Sequence, residues 1–142
     1  MKGLKVDNLQ VSFRGRQVVK GISFAIPPQA RVGLIGESGS GKSVTALALM
    51  GLLGEGAKIS GSVSLDGGEL LSLADRQMAR LRGAKIGMIF QEPMTALDPT
   101  MRVGKQVAEV LALHQPGRSG KRQEVIKMLE RVGLPDPEQS AN

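Results

Sequence analysis

The run Gly36-Glu37-Ser38-Gly39-Ser40-Gly41-Lys42-Ser43 lies between an apolar pentapeptide, Arg31 to Ile35, and an Ala- and Leu-rich stretch from Ser43 to Leu53. Glycines at 36, 39 and 41 let the backbone curl so that successive N–H groups converge on an anion. A helix that starts at Lys42-Ser43 adds the positive end of its dipole at the same point. The spacing of Gly, four residues, then Gly-Lys-Ser is the phosphate-loop pattern. In it Lys42 supplies a mobile cation for the outer phosphates of a nucleoside triphosphate, and the Ser43 hydroxyl is a hard oxygen suited to Mg²⁺. A Gly-rich turn could match by accident, but at this composition that happens roughly 1–2% of the time. The setting between strand and helix is also the one in which the mechanism works. The chain is thereby confined to an α/β fold in which a buried strand feeds a helix through an anion-binding loop.

The flanking sequence supplies the remaining elements. Lys5 to Phe13 alternates apolar and polar side chains, Arg14-Gly15-Arg16 is turn-like, and Val18 to Ile26 reads as a second strand closed by Pro27-Pro28, so a hairpin is expected. Arg31 to Ile35 reads as a buried strand, and Ser43 to Leu53 as a helix ending at Gly54. Ile59 to Asp66 alternates again, as an edge or antiparallel strand does. Ala74 to Leu81 reads as a short basic helix, and Ile86 to Phe90 as a strand buried on both faces. Beyond it the pattern is helical: Val103 to His114 aligns Val103, Val107, Val110 and Leu111, and Gly120 to Val132 aligns Val125, Met128, Leu129 and Val132.

Composition closes off several chemistries. The 142 residues fit one domain, and 41% hydrophobic with 23% charged residues is ordinary globular composition. Without Cys there is no disulfide framework, Cys-ligated zinc or thiol catalysis, and a single histidine, His114, makes no His cluster. His114 is expected to be a surface residue at a helix end. The net charge of +6 raises nucleic-acid binding. The basic residues are dispersed, however, and three Phe with no Tyr or Trp supply a poor stacking platform. The longest apolar stretch, Val44 to Leu53, falls well short of the ~20 residues that cross a bilayer, and no secretory leader is evident, so a cytoplasmic location is expected.

Phe13, the GESGSGKS loop and the segment from Met88 to Met101, with its FQEPMTALDPTM wording, together resemble the N-terminal half of an ABC transporter ATP-binding subunit. The FQEPMTALDPTM wording more specifically resembles the ATPase subunits of dipeptide, oligopeptide and nickel importers. The resemblance implies an α/β P-loop NTPase core with an antiparallel β-subdomain and the start of an α-helical subdomain. Residues 1–30 would give β-subdomain strands, 31–58 the loop strand and helix, 59–102 a further β-subdomain strand and the Q-loop, and 103–142 the helical start. It implies ATP and Mg²⁺ as ligands, bound by Gly36, Ser38, Gly39, Ser40, Gly41, Lys42, Ser43 and Val44, with Ser43 and Gln91 on the metal. It implies a catalytic role for Gln91, the Q-loop glutamine that contacts the attacking water, and adenine stacking for Phe13. From the residues alone, Phe13 reads as a core aromatic and Gln91 as a polar residue at the end of a buried strand, and only the resemblance reverses those readings.

The resemblance further implies a peripheral subunit on the cytoplasmic face of the inner membrane. It would work with transmembrane permease subunits, a second ABC ATPase and, indirectly, a solute-binding protein. Glu92 follows an apolar run but has Gln91 where a Walker B Asp belongs and Pro93 after it; Asp66 and Asp98 follow no run of four apolar residues. Walker B, the LSGGQ-type signature, the catalytic glutamate and the switch histidine are not found. The chain therefore reads as a truncated subunit, inactive by itself, with open apolar faces at 31–35 and 86–90. The rival readings are an ATP-binding module without hydrolysis and a soluble ABC ATPase acting on nucleic acid.

Overall fold

In the computed structural model, which describes residues 2–90, 97–114 and 122–141, the chain forms two units, Met1–Ala79 and Arg80–Asn142. The first is built on β1 (Leu4–Phe13) and β2 (Arg16–Ile26), an antiparallel hairpin as expected. β3 (Ala57–Leu65) pairs with the other side of β1, also antiparallel, and the two-residue β4 (Gly68–Glu69) borders it, giving the order β2-β1-β3-β4. Val6, Leu9, Val11 and Val63 are the largest fully buried side chains among the described residues. Val6 and Leu9 are three apart, which breaks a strict two-residue alternation. A register shift of β1 against both neighbours at this point, with Asn8 at φ 46° and its N–H donated to Ser23 Oγ at 2.8 Å, absorbs the extra residue. This irregularity returns Leu9 and Val11 to the core face.

Helix α1 (Lys42–Leu49) packs on β1 and β2, burying Thr45 and Ala48. It ends four residues before the expected Leu53. Gly51 adopts φ 61°, its N–H donates to the Ala48 carbonyl and that of Leu52 to the Leu47 carbonyl, a paired closure that stops the helix at the first glycine able to make it. Helix α2 (Asp75–Leu81) follows, with Met78 buried.

The second unit contains α3 (Val103–His114), α4 (Arg122–Arg131) and the single turn α5 (Pro137–Ser140). Leu111, Val125 and Leu129 form its core, with Val103, Val107 and Met128 packed around them. The two apolar stripes are therefore narrower than the sequence suggests: Val110 is 55% and Val132 74% exposed. Gln106 ties the start of α3 to the preceding loop. Its side-chain amide donates to the carbonyls of Asp98 (2.9 Å) and Met101 (2.8 Å), and its oxygen accepts the Asp98 N–H.

Two expected strands do not form. Arg31 to Ile35 carries no ladder, and its Val32, Leu34 and Ile35 are exposed; Ile86 to Phe90 makes only an isolated bridge, Arg82 to Ile86, with Ile89 and Phe90 exposed. A strand exists only through its neighbour's hydrogen bonds. Among the described residues no strand forms a ladder with either pentapeptide.

Candidate functional site

The glycine-rich loop is held by its last glycine. Gly41 caps α1 with φ 92°, a left-handed conformation that disfavours any side chain, and a Cβ there would sit 3.2 Å from the Val18 carbonyl oxygen and 3.3 Å from a Val19 methyl. The loop thus lies against the middle of β2. Thr45, one turn into α1 and buried, donates both its N–H (2.8 Å) and its hydroxyl (2.9 Å) to the Gly41 carbonyl, fixing the loop's exit. Neither the role of Thr45 nor the Val18–Val19 contact follows from the motif's spacing.

Lys42 reaches back across the loop. Its ammonium donates to the carbonyls of Gly36 at 2.8 Å and Glu37 at 2.7 Å, with Ser40 Oγ at 3.4 Å, while the Ser40 N–H donates to the Glu37 carbonyl. The ammonium is therefore poised over the concave side of the loop. An anion entering there competes with the two carbonyls for it and makes the stronger charge-assisted bonds. Ser43 is exposed in the first turn of α1, where backbone amides have no intrahelical partner. Gly36, Ser38, Gly39 and Ser40 are exposed and Val44 half-buried. No group of three His, Cys, Asp or Glu among the described residues could hold a metal. Mg²⁺ here would take one hydroxyl oxygen from Ser43 beside oxygens of phosphate and water, the usual habit of that ion at a phosphate loop. The residues present fit that arrangement.

The loop and β2 enclose a cleft of about 750 Å³, within the size range of small-molecule sites. Arg16 and Lys20 line it together with Lys42, and its described lining includes no carboxylate. Phe13 is half-buried at the end of β1, paired with Arg16 across the hairpin, so it is not a member of the fully buried core.

Asp66 and Asp98, weighed above as Walker B candidates, are engaged elsewhere. Asp66 accepts the amides of Lys2 (2.7 Å) and Gly3 (3.1 Å). Asp98 accepts the Thr100 hydroxyl and amide, which hold its carboxyl below the usual range. At Glu69 partial burial pushes the carboxyl up. The Ser62 hydroxyl and the amides of Val63, Leu71 and Leu70 outweigh that and bring it below its ordinary value. Gln91, Glu92 and Pro93 lie outside the described residues. His114 is half-buried rather than free at the surface: its ring covers Gly83, where a Cβ would fall 2.5 Å from Nε2.

Known proteins resemble this sequence over most of its length. The family model described as ABC transporter matches residues 19–142. The oligopeptide transport ATP-binding protein of Mycobacterium tuberculosis is 48% identical over 141 residues, covering 95% of this chain and 23% of that protein. The dipeptide transport ATP-binding protein of Bacillus subtilis is 45% identical over 143 residues, with 96% and 43% covered. The oligopeptide transport ATP-binding protein of Salmonella typhimurium is 43% identical, with 94% and 41% covered. The chain thus spans between about a quarter and under half of the length of these relatives. Among solved structures, a bacterial Atm1-family ABC exporter with ATP bound aligns with a TM-score of 0.61 at 21% identity, covering 96% of this chain and 23% of that one, which is a likeness of fold.

Proposed function

The chain belongs to the ABC transporter family, and on that premise we propose that it binds ATP with Mg²⁺ in the Gly36–Ser43 loop as part of the ATP-binding subunit of an importer for peptides or related small solutes. The relatives' names, oligopeptide and dipeptide transport ATP-binding proteins, support the solute class. The observation that carries the reading is Lys42: its ammonium lies over a loop whose exit is fixed by Gly41, Thr45 and β2.

The residues divide the work as follows. The loop amides and the first turn of α1 bind phosphate oxygens; Lys42 neutralises the outer phosphates; Ser43 holds the metal. Mg²⁺, when bound, offsets phosphate charge and orients the phosphate chain. Phe13 stacks on adenine from the hairpin end, and Gln91 positions the attacking water and the metal. The divisions at 1–30, 31–58, 59–102 and 103–142 carry over as the family's subdomains.

The intact subunit would sit peripherally on the cytoplasmic membrane face, beside permease subunits and a second ATPase, and be served by a solute-binding protein. No described helix is long and apolar enough to cross a membrane.

Titration calorimetry with Mg·ATP tests the loop. The parent chain should bind and Lys42→Ala should show no measurable heat of binding. Equal affinity in both would refute a phosphate site at Lys42.

A further inference from the structure

We propose that Arg16 is a second nucleotide-binding cation, set against the nucleoside end of the ligand beside Phe13; the assignment rests on the Gly36–Ser43 loop being the triphosphate site. Arg16 lines the cleft formed by β2 and the loop. It is the direct cross-strand partner of Phe13, and opposed residues of an antiparallel pair project from the same face. Phe13 and Arg16 therefore share one face of the hairpin end, with Arg16 reaching the cleft lining and Phe13 beside it.

The position along β2 decides which end of the ligand Arg16 serves. β2 touches the loop at Val18 and Val19, the atoms nearest to Gly41. Arg16 stands two to three residues earlier, roughly 7–10 Å away at ~3.3 Å per residue. Between them the pairing slips: Val11 faces Val19, but Ser12 faces Gln17, so Val18 is the extra residue of a bulge, a device that re-aims the neighbouring side chains. Lys42 is held over the phosphate end by the Gly36 and Glu37 carbonyls. The cleft is therefore cationic at both ends, with Lys20 as a third positive group and no carboxylate among its described lining. An elongated ligand with phosphates at one end and a flat base at the other matches that layout. A guanidinium suits the second end, because it stacks on aromatic faces and also donates in its own plane. Lysine in its place keeps the charge but has no planar group to stack and no fixed fork of in-plane donors.

The test uses the 142-residue chain and its Arg16→Gln, Arg16→Lys and Arg14→Gln variants, titrated at ~0.15 M salt with Mg·ATP and with inorganic triphosphate. Arg14 sits in the hairpin turn outside the cleft lining, so its loss reports the general field alone. Arg16→Gln should weaken ATP roughly fivefold to tenfold, the scale of a charge-assisted contact discounted for exposure, and shift inorganic triphosphate by less than about twofold. Arg16→Lys should fail to restore ATP affinity, and Arg14→Gln should match the parent. Far-UV circular dichroism should be the same for all four. Unchanged ATP affinity in Arg16→Gln, an equal loss in Arg14→Gln, or an equal loss for inorganic triphosphate would each overturn the assignment. Those outcomes leave the loop reading intact as long as the parent binds ATP and Lys42→Ala does not. A parent that binds no ATP overturns both.

Discussion

The β1–β3 sheet and the pentapeptides Arg31–Ile35 and Ile86–Phe90 are equally strand-like in sequence, yet only the sheet forms. In the sheet, Leu9 and Val11 are 0% exposed; in the pentapeptides, Ile35 is 96% and Ile89 97% exposed. The difference is one of partners rather than of residues. β1 and β2 are joined by a turn, so their pairing is local, whereas a parallel strand depends on a neighbour reached only through a long crossover. The phosphate loop stands between these regimes: strand-like but unpaired residues enter it, and its exit is anchored to the sheet through Gly41 and Thr45.

Core substitutions separate the two regimes most sharply. Leu9→Ala should cost about 2–5 kcal/mol in urea unfolding, and Ile89→Ser less than about 0.5 kcal/mol, because only the first leaves a cavity. A comparable loss at Ile89 would mean that the second region is buried in solution.

Phe13→Ala probes the end of β1, an inner strand. It should weaken ATP by about 1–3 kcal/mol and leave inorganic triphosphate little changed in competition titrations, since stacking acts on the base alone. Equal losses for both ligands would make Phe13 a packing residue.

At the end of α1, Gly51→Ala should lower stability by about 1–2 kcal/mol, the penalty of a Cβ in left-handed backbone. No change in the unfolding midpoint would show that the helix frays rather than closing at Gly51.

The smallest effect concerns Glu69. Its folded carboxyl is more acidic than its unfolded one, so the stability it contributes is present above the unfolded value and is lost as pH falls through the folded one. Glu69→Gln should remove that acid-side component. An unchanged slope of stability against pH below about 5 would assign the acid sensitivity to other groups.

The sequence makes the hairpin, the helices α1 to α4 and the phosphate loop legible because each depends on local periodicity, turn residues or fixed spacing. The bulge at Asn8 was concealed, as it only appears as a slip between Val6 and Leu9. The two pentapeptides misled for the opposite reason: apolarity reports a preference for burial and says nothing of whether a neighbour is at hand. Within the site, Lys42 and Ser43 follow from the motif. Thr45, Val18 and Arg16 do not: Thr45 bonds back to the carbonyl four residues earlier, and Val18 and Arg16 reach the site because the loop packs on β2.

Amide hydrogen exchange tests the central claim most directly, that a phosphate loop anchored to the sheet binds the triphosphate. In the chain alone, β1–β3 amides should exchange slowly and those of residues 32–35 and 87–90 rapidly. Saturating Mg·ATP should slow the amides of Gly36 to Ser43 in the parent and leave them unchanged in Lys42→Ala. Loop amides that exchange at the same rate with and without Mg·ATP in the parent would contradict the account.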